Sequence, residues 1–166
     1  MNKSVTNVIN PDYNKARSIH EFTVKNAKGE NVKLEAYKGH VCIIVNVSSK
    51  CGFTAHHYAQ FNELVAKYGE NKGLRILAFP CWQFSGEEKE TLDYALYFDM
   101  YDKVDVNGEG ASPLWKFLKL KQGTPKGNFI KWNFTKFIIN KDGVPVERHE
   151  CKVEPLNLVR NLERYW

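Results

Sequence analysis

A buried strand that gives way to a helix is the feature that most constrains this chain. Residues 41–47 form a continuous apolar run rich in β-branched side chains, which is typical of a strand buried on both faces. After a polar turn, apolar residues recur at steps of three and four over residues 58–68, which predicts an amphipathic helix. A second apolar run, residues 74–79, predicts another buried strand. Strand, helix and strand at this spacing predict a right-handed β-α-β unit with parallel strands.

The remaining elements extend this unit into one α/β domain. The flanking patterns are a hairpin over 19–34, a helix from Ser112-Pro113, a hairpin over 130–148 and a last helix near Glu154-Pro155. This order predicts a thioredoxin-like fold, with a mixed four- to five-stranded sheet and helices on both faces. The 166 residues, 43% of them hydrophobic, suffice for one core. We expect a flexible arm over 1–18 and a single domain over 19–166.

Cys51 lies where the first buried strand gives way to the helix. Free backbone N–H groups and the positive end of the helix dipole favour a thiolate there. A partly open thiolate is the nucleophile that redox chemistry needs. The alternative is a small buried residue without reactivity, and the polar Ser48-Ser49-Lys50 setting favours the reactive interpretation.

Cysteine spacing and net charge indicate the cellular compartment and the kinds of partner that the chain can have. The four cysteines are widely spaced and form no C-x-x-C or zinc-like spacing, so we expect no metal and a reducing, cytoplasmic location. No signal-like or membrane-spanning run is seen. The net charge of +5 is spread along the chain, which favours a solvated surface and argues against nucleic-acid binding. Weak contact with an anionic membrane surface is the alternative.

Three segments resemble the glutathione peroxidase family, in particular its monomeric, phospholipid-hydroperoxide branch. They are residues 46–52 (NVSSKCG), 76–84 (ILAFPCWQF) and 130–137 (IKWNFTKF). The resemblance extends over nearly the whole chain from Ile19. It implies a monomer in which Cys51 attacks a hydrogen, organic or lipid hydroperoxide and becomes a sulfenic acid. Thiols then restore the thiolate, and no bound cofactor is needed.

The resemblance also implies the residues that assist Cys51. Trp132 and Asn133 stand where the family places a Trp and an Asn that donate hydrogen bonds to the sulfur and the developing oxyanion. Without the motif, a core aromatic and an ordinary turn residue would be the preferred interpretations. Glu87 occupies the position of the family's catalytic Gln and could serve as a general base. Gln83 is the alternative to it.

Differences between this sequence and the family pattern indicate the reductant, and the remaining cysteines and histidines are interpreted with them. The stretch after Glu88 is shorter than in the family, and residues 88–102 hold no resolving cysteine. Glutathione is therefore the simpler reductant, with thioredoxin as the other candidate. Cys151 is either a stand-in resolving thiol or a plain surface cysteine, whereas Cys42 and Cys81 are expected to be structural. We expect His56 and His57 to face solvent.

Two further functions are compatible with the same scaffold. One is a redox sensor or thiol-oxidising relay with weak turnover, suggested by Glu87 and the trimmed loop. The other is a non-enzymatic binding module.

Overall fold

A five-stranded mixed sheet forms the centre of the protein. The structure is a computed structural model that describes residues 8–86 and 95–166. In those ranges the strands are β1 (Thr23–Lys25), β2 (Asn31–Lys33), β3 (Cys42–Val47), β4 (Arg75–Pro80), β5 (Asp99–Met100), β6 (Lys136–Ile139) and β7 (Pro145–His149). The α-helices are α1 (Thr54–Tyr68), α2 (Pro113–Lys121) and α3 (Val159–Glu163). Short 3-10 helices cover Ile19–Glu21, Leu34–Tyr37 and Pro155–Leu158.

The strand order in the large sheet is β5-β4-β3-β6-β7. The central pair β3 and β4 is parallel, and α1 connects them, as the sequence predicted. On the other side, β6 runs antiparallel to β3, with Val45 opposite Lys136. Every residue of β3 is buried, which explains why its sequence is apolar apart from Asn46 and does not alternate.

The helices cover both faces of this sheet. Alternate residues of β3 point to opposite faces, so Cys42 and Ile44 pack in one apolar cluster while Ile43 and Val45 pack in the other. The first cluster contains the buried side of α2. The second contains α1 and Leu162 of α3. The predicted sheet with helices on both faces is therefore present.

The largest differences from the sequence prediction lie at strand ends. Residues 19–21 form a 3-10 helix where a strand was predicted, because Ser18 and Glu21 make a reciprocal capping box. The Ser18 hydroxyl accepts the His20 N–H (3.0 Å), and Glu21 accepts the Ser18 N–H (3.0 Å). The strand predicted from residue 130 begins only at Lys136, because a tight turn precedes it.

The segment before the first hairpin contacts the domain from Asn10 onward. The Asn10 side chain exchanges two hydrogen bonds with the Thr23 backbone (2.8 and 3.1 Å), and Ala16 is buried in the core. Residues 1–7 of the predicted arm lie outside the described residues. Among the helices described, none is both long and apolar enough to span a membrane.

Candidate active site

Cys51 lies in the turn between β3 and α1 and is partly exposed. The Phe53 N–H donates to the Cys51 Sγ (3.5 Å), and this N–H belongs to the residue that precedes α1. The Thr54 hydroxyl accepts the Cys51 N–H (3.2 Å) and donates to the Ser48 carbonyl. Thr54 therefore closes the turn from within and holds the sulfur at the start of the helix. Sequence reasoning did not single out Thr54, the first residue of α1, whose hydroxyl bonds back to the turn and does not cap the helix.

A second segment, residues 132–135, is fixed to the same end of β3 by Asn46. The Asn46 Nδ2 donates to the Trp132 carbonyl (3.0 Å), and its Oδ1 accepts the Thr135 N–H (3.0 Å). The Asn46 backbone carbonyl accepts the Phe134 N–H (2.7 Å). Phe134 has a φ of 65°, in the left-handed region, which tightens this turn. Asn46 thus holds the segment that carries Trp132 and Asn133 on the strand that leads to Cys51.

The loop after β4 meets this turn. The rings of Phe84 and Trp132 lie 5.8 Å apart between centroids, and Trp132 is 40% exposed. Asn133 is fully buried, and its Nδ2 donates to the Ser85 hydroxyl (2.7 Å). The Asn133 Oδ1 has no hydrogen-bond partner among the described residues. The loops that follow β3 and β4 were predicted to meet at one edge of the sheet, and Trp132 and Asn133 lie at that edge.

The side-chain amide of Gln83 is hydrogen-bonded to a neighbouring loop. Its Oε1 accepts the N–H groups of Val106 (2.7 Å) and Asn107 (3.1 Å), and its Nε2 donates to the Asn107 carbonyl (3.0 Å). Asn107 in turn bonds both backbone groups of Ile130 (2.7 and 2.9 Å), two residues before Trp132. Gln83 therefore supports the loops around the site, and its direct role in catalysis stays a prediction. Glu87, the other candidate, lies outside the described residues.

His57 was expected to face solvent, and that expectation is wrong, since only 1% of His57 is exposed. Its Nδ1 donates to the Phe53 carbonyl (2.9 Å), so the neutral ring accepts from Lys136 Nζ at Nε2 (2.9 Å). Lys136 is also fully buried and donates to the carbonyls of Phe134 (2.9 Å) and Glu150 (3.0 Å). One buried ammonium thus meets three acceptors and connects the Cys51 segment with the Trp132 segment. His56, by contrast, is exposed as expected.

Burial sets the protonation of this pair. Burial, followed by the positive charge of Lys136, lowers the pKa of His57 to about 3. Burial lowers the pKa of Lys136 to about 8. Near neutral pH, His57 is therefore neutral and Lys136 is largely an ammonium, which is the combination that the three hydrogen bonds require.

The other cysteines occupy different environments. Cys42 and Cys81 are fully buried, and burial raises the pKa of Cys42 to about 12 and also raises the pKa of Cys81. Both agree with the structural roles expected from the sequence. Cys151 follows β7, is partly exposed, and is the neighbour of Glu150, whose carbonyl binds Lys136. All four thiols are free.

Comparisons with known proteins agree with this architecture. A family model described as glutathione peroxidase matches residues 19–119, more than half of the chain. The phospholipid hydroperoxide glutathione peroxidase of Bos taurus is 46% identical over 167 residues, covering 93% of this chain and 83% of the relative. The crystal structure of T. cruzi GPX1 aligns with a TM-score of 0.77 and 38% identity, over 90% of this chain and 96% of that one.

A more distant structure shows the fold alone. The exposed lipoprotein thioredoxin Etrx1 from Streptococcus pneumoniae is 19% identical and aligns with a TM-score of 0.58. The alignment covers 86% of this chain and 98% of that one. The predicted thioredoxin-like fold is therefore confirmed.

Proposed function

The chain belongs to the glutathione peroxidase family, and we propose that it reduces hydrogen peroxide and organic or lipid hydroperoxides through Cys51. The observation that carries this proposal is the position of Cys51. Cys51 is partly exposed and its sulfur accepts an N–H at the start of α1, and the Trp132–Asn133 turn is bonded to the strand that leads to it. A nucleophilic sulfur beside fixed hydrogen-bond donors is what peroxide cleavage requires.

The reaction begins with attack of the Cys51 thiolate on the terminal oxygen of the hydroperoxide. The S–O bond forms as the O–O bond breaks, and the electron pair leaves with the other peroxide oxygen, which bears the organic group or hydrogen, as alkoxide or hydroxide. That oxygen takes a proton and departs as alcohol or water, leaving Cys51 as sulfenic acid. In this proposal Trp132 and Asn133 donate hydrogen bonds to the sulfur and to the leaving oxygen.

An external thiol completes the cycle in this proposal. A first thiol condenses with the sulfenic acid, releasing water and forming a mixed disulfide. A second thiol then attacks the mixed disulfide, forms a disulfide with the first thiol and releases the Cys51 thiolate. Glutathione is the preferred reductant and thioredoxin the alternative, because residues 88–102 contain no cysteine that could resolve the sulfenic acid internally.

The surroundings of the site bear on where the enzyme works. Trp132 and Phe129 are 40% and 51% exposed, and Lys131 between them is also exposed. Exposed aromatic rings beside a lysine suit weak contact with an anionic membrane surface, where lipid hydroperoxides occur. We propose that the protein is a cytoplasmic monomer, and the exposed rings support its transient approach to membranes.

A stopped-flow experiment tests the central step. Fully reduced protein is mixed with hydrogen peroxide while tryptophan fluorescence is followed, because Trp132 lies at the edge of the sheet that carries Cys51. We expect a fast, stoichiometric change that disappears in Cys51→Ser and persists in Cys151→Ser, the matched control that also removes one partly exposed thiol. A rate no higher than that of free glutathione with peroxide would refute the proposal.

A second stage of the experiment identifies the reductant. The oxidised protein is mixed with glutathione or with reduced thioredoxin, and the return of the fluorescence is timed. Rapid recovery with either thiol identifies the co-substrate. Fast oxidation without recovery by either would favour the redox-sensor role.

A further inference from the structure

In the contact between Asn133 and Ser85, one buried polar atom lacks a hydrogen-bond partner among the described residues. Asn133 is fully buried, and its Nδ2 donates to the Ser85 hydroxyl at 2.7 Å. Its other carboxamide atom, Oδ1, is buried without a partner among the described residues. Buried side-chain polar atoms are nearly always paired, so this atom marks a place where another group is expected.

The Ser85 hydroxyl can hold the Asn133 carboxamide in either of two ways. A hydroxyl both donates and accepts, so it can accept from the Asn133 NH2 or donate to the Asn133 carbonyl oxygen. When it donates, Oδ1 is satisfied and the NH2 group replaces it at the unpaired position. Both N–H groups of the carboxamide are then available to donate, in the buried turn that Asn46 bonds to the strand leading to Cys51.

We propose that Ser85 is a positioning residue that selects this second orientation of Asn133 during the attack on peroxide. The inference rests on the proposed function, in which Asn133 donates to the reacting sulfur and leaving oxygen. Ser85 acts through Asn133 and does not touch the reacting atoms. A donor that a hydroxyl holds in place stabilises developing charge better than one that is free to turn.

The position of Ser85 is itself supported by the surrounding loop. Gln83, two residues earlier, is bound to the 106–107 loop by three hydrogen bonds. Phe84, directly before Ser85, packs against Trp132. The hydroxyl is therefore presented to Asn133 from a segment that the two preceding residues hold in place, which is what a positioning residue requires.

Three substitutions at Ser85 isolate the hydroxyl. Ser85→Ala removes it, Ser85→Thr keeps it, and Ser85→Val has the shape of threonine without it. With wild-type protein as reference, the second-order rate constant for Cys51 oxidation by hydrogen peroxide is measured by stopped flow. We expect Ser85→Ala and Ser85→Val to be slower by about 5- to 30-fold, and Ser85→Thr to stay within about 3-fold of wild type. The Thr and Val pair decides the question even if the alanine variant folds poorly.

A double-mutant cycle shows whether Ser85 acts through Asn133. In an Asn133→Ala background, Ser85→Val should cause no further loss of the oxidation rate. Reduction of the oxidised enzyme by glutathione should be unchanged by Ser85→Val, because the positioned donor serves the peroxide step. A general loosening of the site would slow both steps and would persist without Asn133.

The outcomes separate this inference from the proposed function. Slow oxidation of wild-type Cys51 would refute the function itself. Fast oxidation in wild type and in Ser85→Val, equal loss in Ser85→Thr and Ser85→Val, or an undiminished Ser85→Val effect in Asn133→Ala would each overturn the positioning role alone.

Discussion

Replacing Asn46 with alanine should weaken both the fold and the reaction. Two side-chain hydrogen bonds disappear, one to the Trp132 carbonyl and one from the Thr135 N–H. Thr135 is 1% exposed, so water cannot replace the acceptor that its N–H loses. An unpaired buried polar group costs about 1–3 kcal/mol, and the small cavity adds to this. We expect the free energy of unfolding to fall by roughly 2–4 kcal/mol.

The same substitution should slow Cys51 oxidation because it releases the turn that carries Trp132 and Asn133. Displacing a catalytic group by about 1 Å can cost on the order of 100-fold in rate. We therefore expect the rate constant with hydrogen peroxide to fall by about 10- to 100-fold. The rate is measured by stopped flow at a temperature where circular dichroism shows the variant to be folded, and stability is measured by urea unfolding.

Asn140→Ala is the matched control for this experiment. The Asn140 Oδ1 also makes two hydrogen bonds, to the N–H groups of Asp142 (3.1 Å) and Val144 (3.0 Å), but in the β6–β7 turn at the opposite end of β6. Water can reach this turn, so we expect a loss of only about 1 kcal/mol and a normal oxidation rate. If folded Asn46→Ala oxidised as fast as Asn140→Ala, the claim that Asn46 positions the turn would be refuted.

Three further predictions concern the buried polar groups and thiols. Iodoacetamide at pH 8 should label the two partly exposed cysteines of the folded protein, while Cys42 and Cys81 react only after unfolding because burial raises the pKa of both. Peptide mass spectrometry identifies the labelled cysteines, and labelling of Cys42 in the folded protein would contradict the burial argument. Because burial lowers the pKa of His57 to about 3, the unfolded chain binds a proton below about pH 6.5 while the folded protein does not, so stability falls as pH falls. Urea unfolding between pH 6.5 and 5 measures this loss of stability. In His57→Gln the loss should be smaller than in wild type by up to about 1.4 kcal/mol per pH unit, and an equal loss in the two proteins would refute the low pKa of His57. Lys136→Met leaves three acceptors without their donor and should lower the free energy of unfolding by roughly 2–4 kcal/mol. The control is Lys131→Met, which replaces an exposed lysine and should change the free energy of unfolding by less than about 0.5 kcal/mol. Equal urea midpoints for the two variants would argue against the buried network.

The sheet and the position of Cys51 could be predicted because they depend on local patterns. A continuous apolar run reports a strand buried on both faces, and the step of three and four after it reports a helix. The turn between them follows from those two elements alone. Predictions of strand ends were weaker, since Ser18 and Glu21 formed a cap and the 132–135 turn interrupted a strand-like run.

The partner of His57 could not be predicted from its neighbourhood in the sequence. The acceptor that His57 offers at Nε2 is used by Lys136, which lies 79 residues away along the chain. The helical period places His57 on the buried face of α1, four residues before Phe61, whereas its pairing with Lys136 is a tertiary contact that no local window contains.

The supports of the site nevertheless left a signal in the sequence, which is a polar residue inside an apolar run. Asn46 interrupts the first buried strand, and Lys136 interrupts the run that leads into β6. A carboxamide or an ammonium in such a place is stable only if every donor finds a partner, which is either a side chain such as that of His57 or one of the backbone groups that secondary structure leaves unpaired. Those groups occur at turns, and here both residues bond to the turn that carries Trp132 and Asn133. The polar exceptions in the core therefore point to the turn that the proposed chemistry uses, and only the identity of their partners required the folded structure.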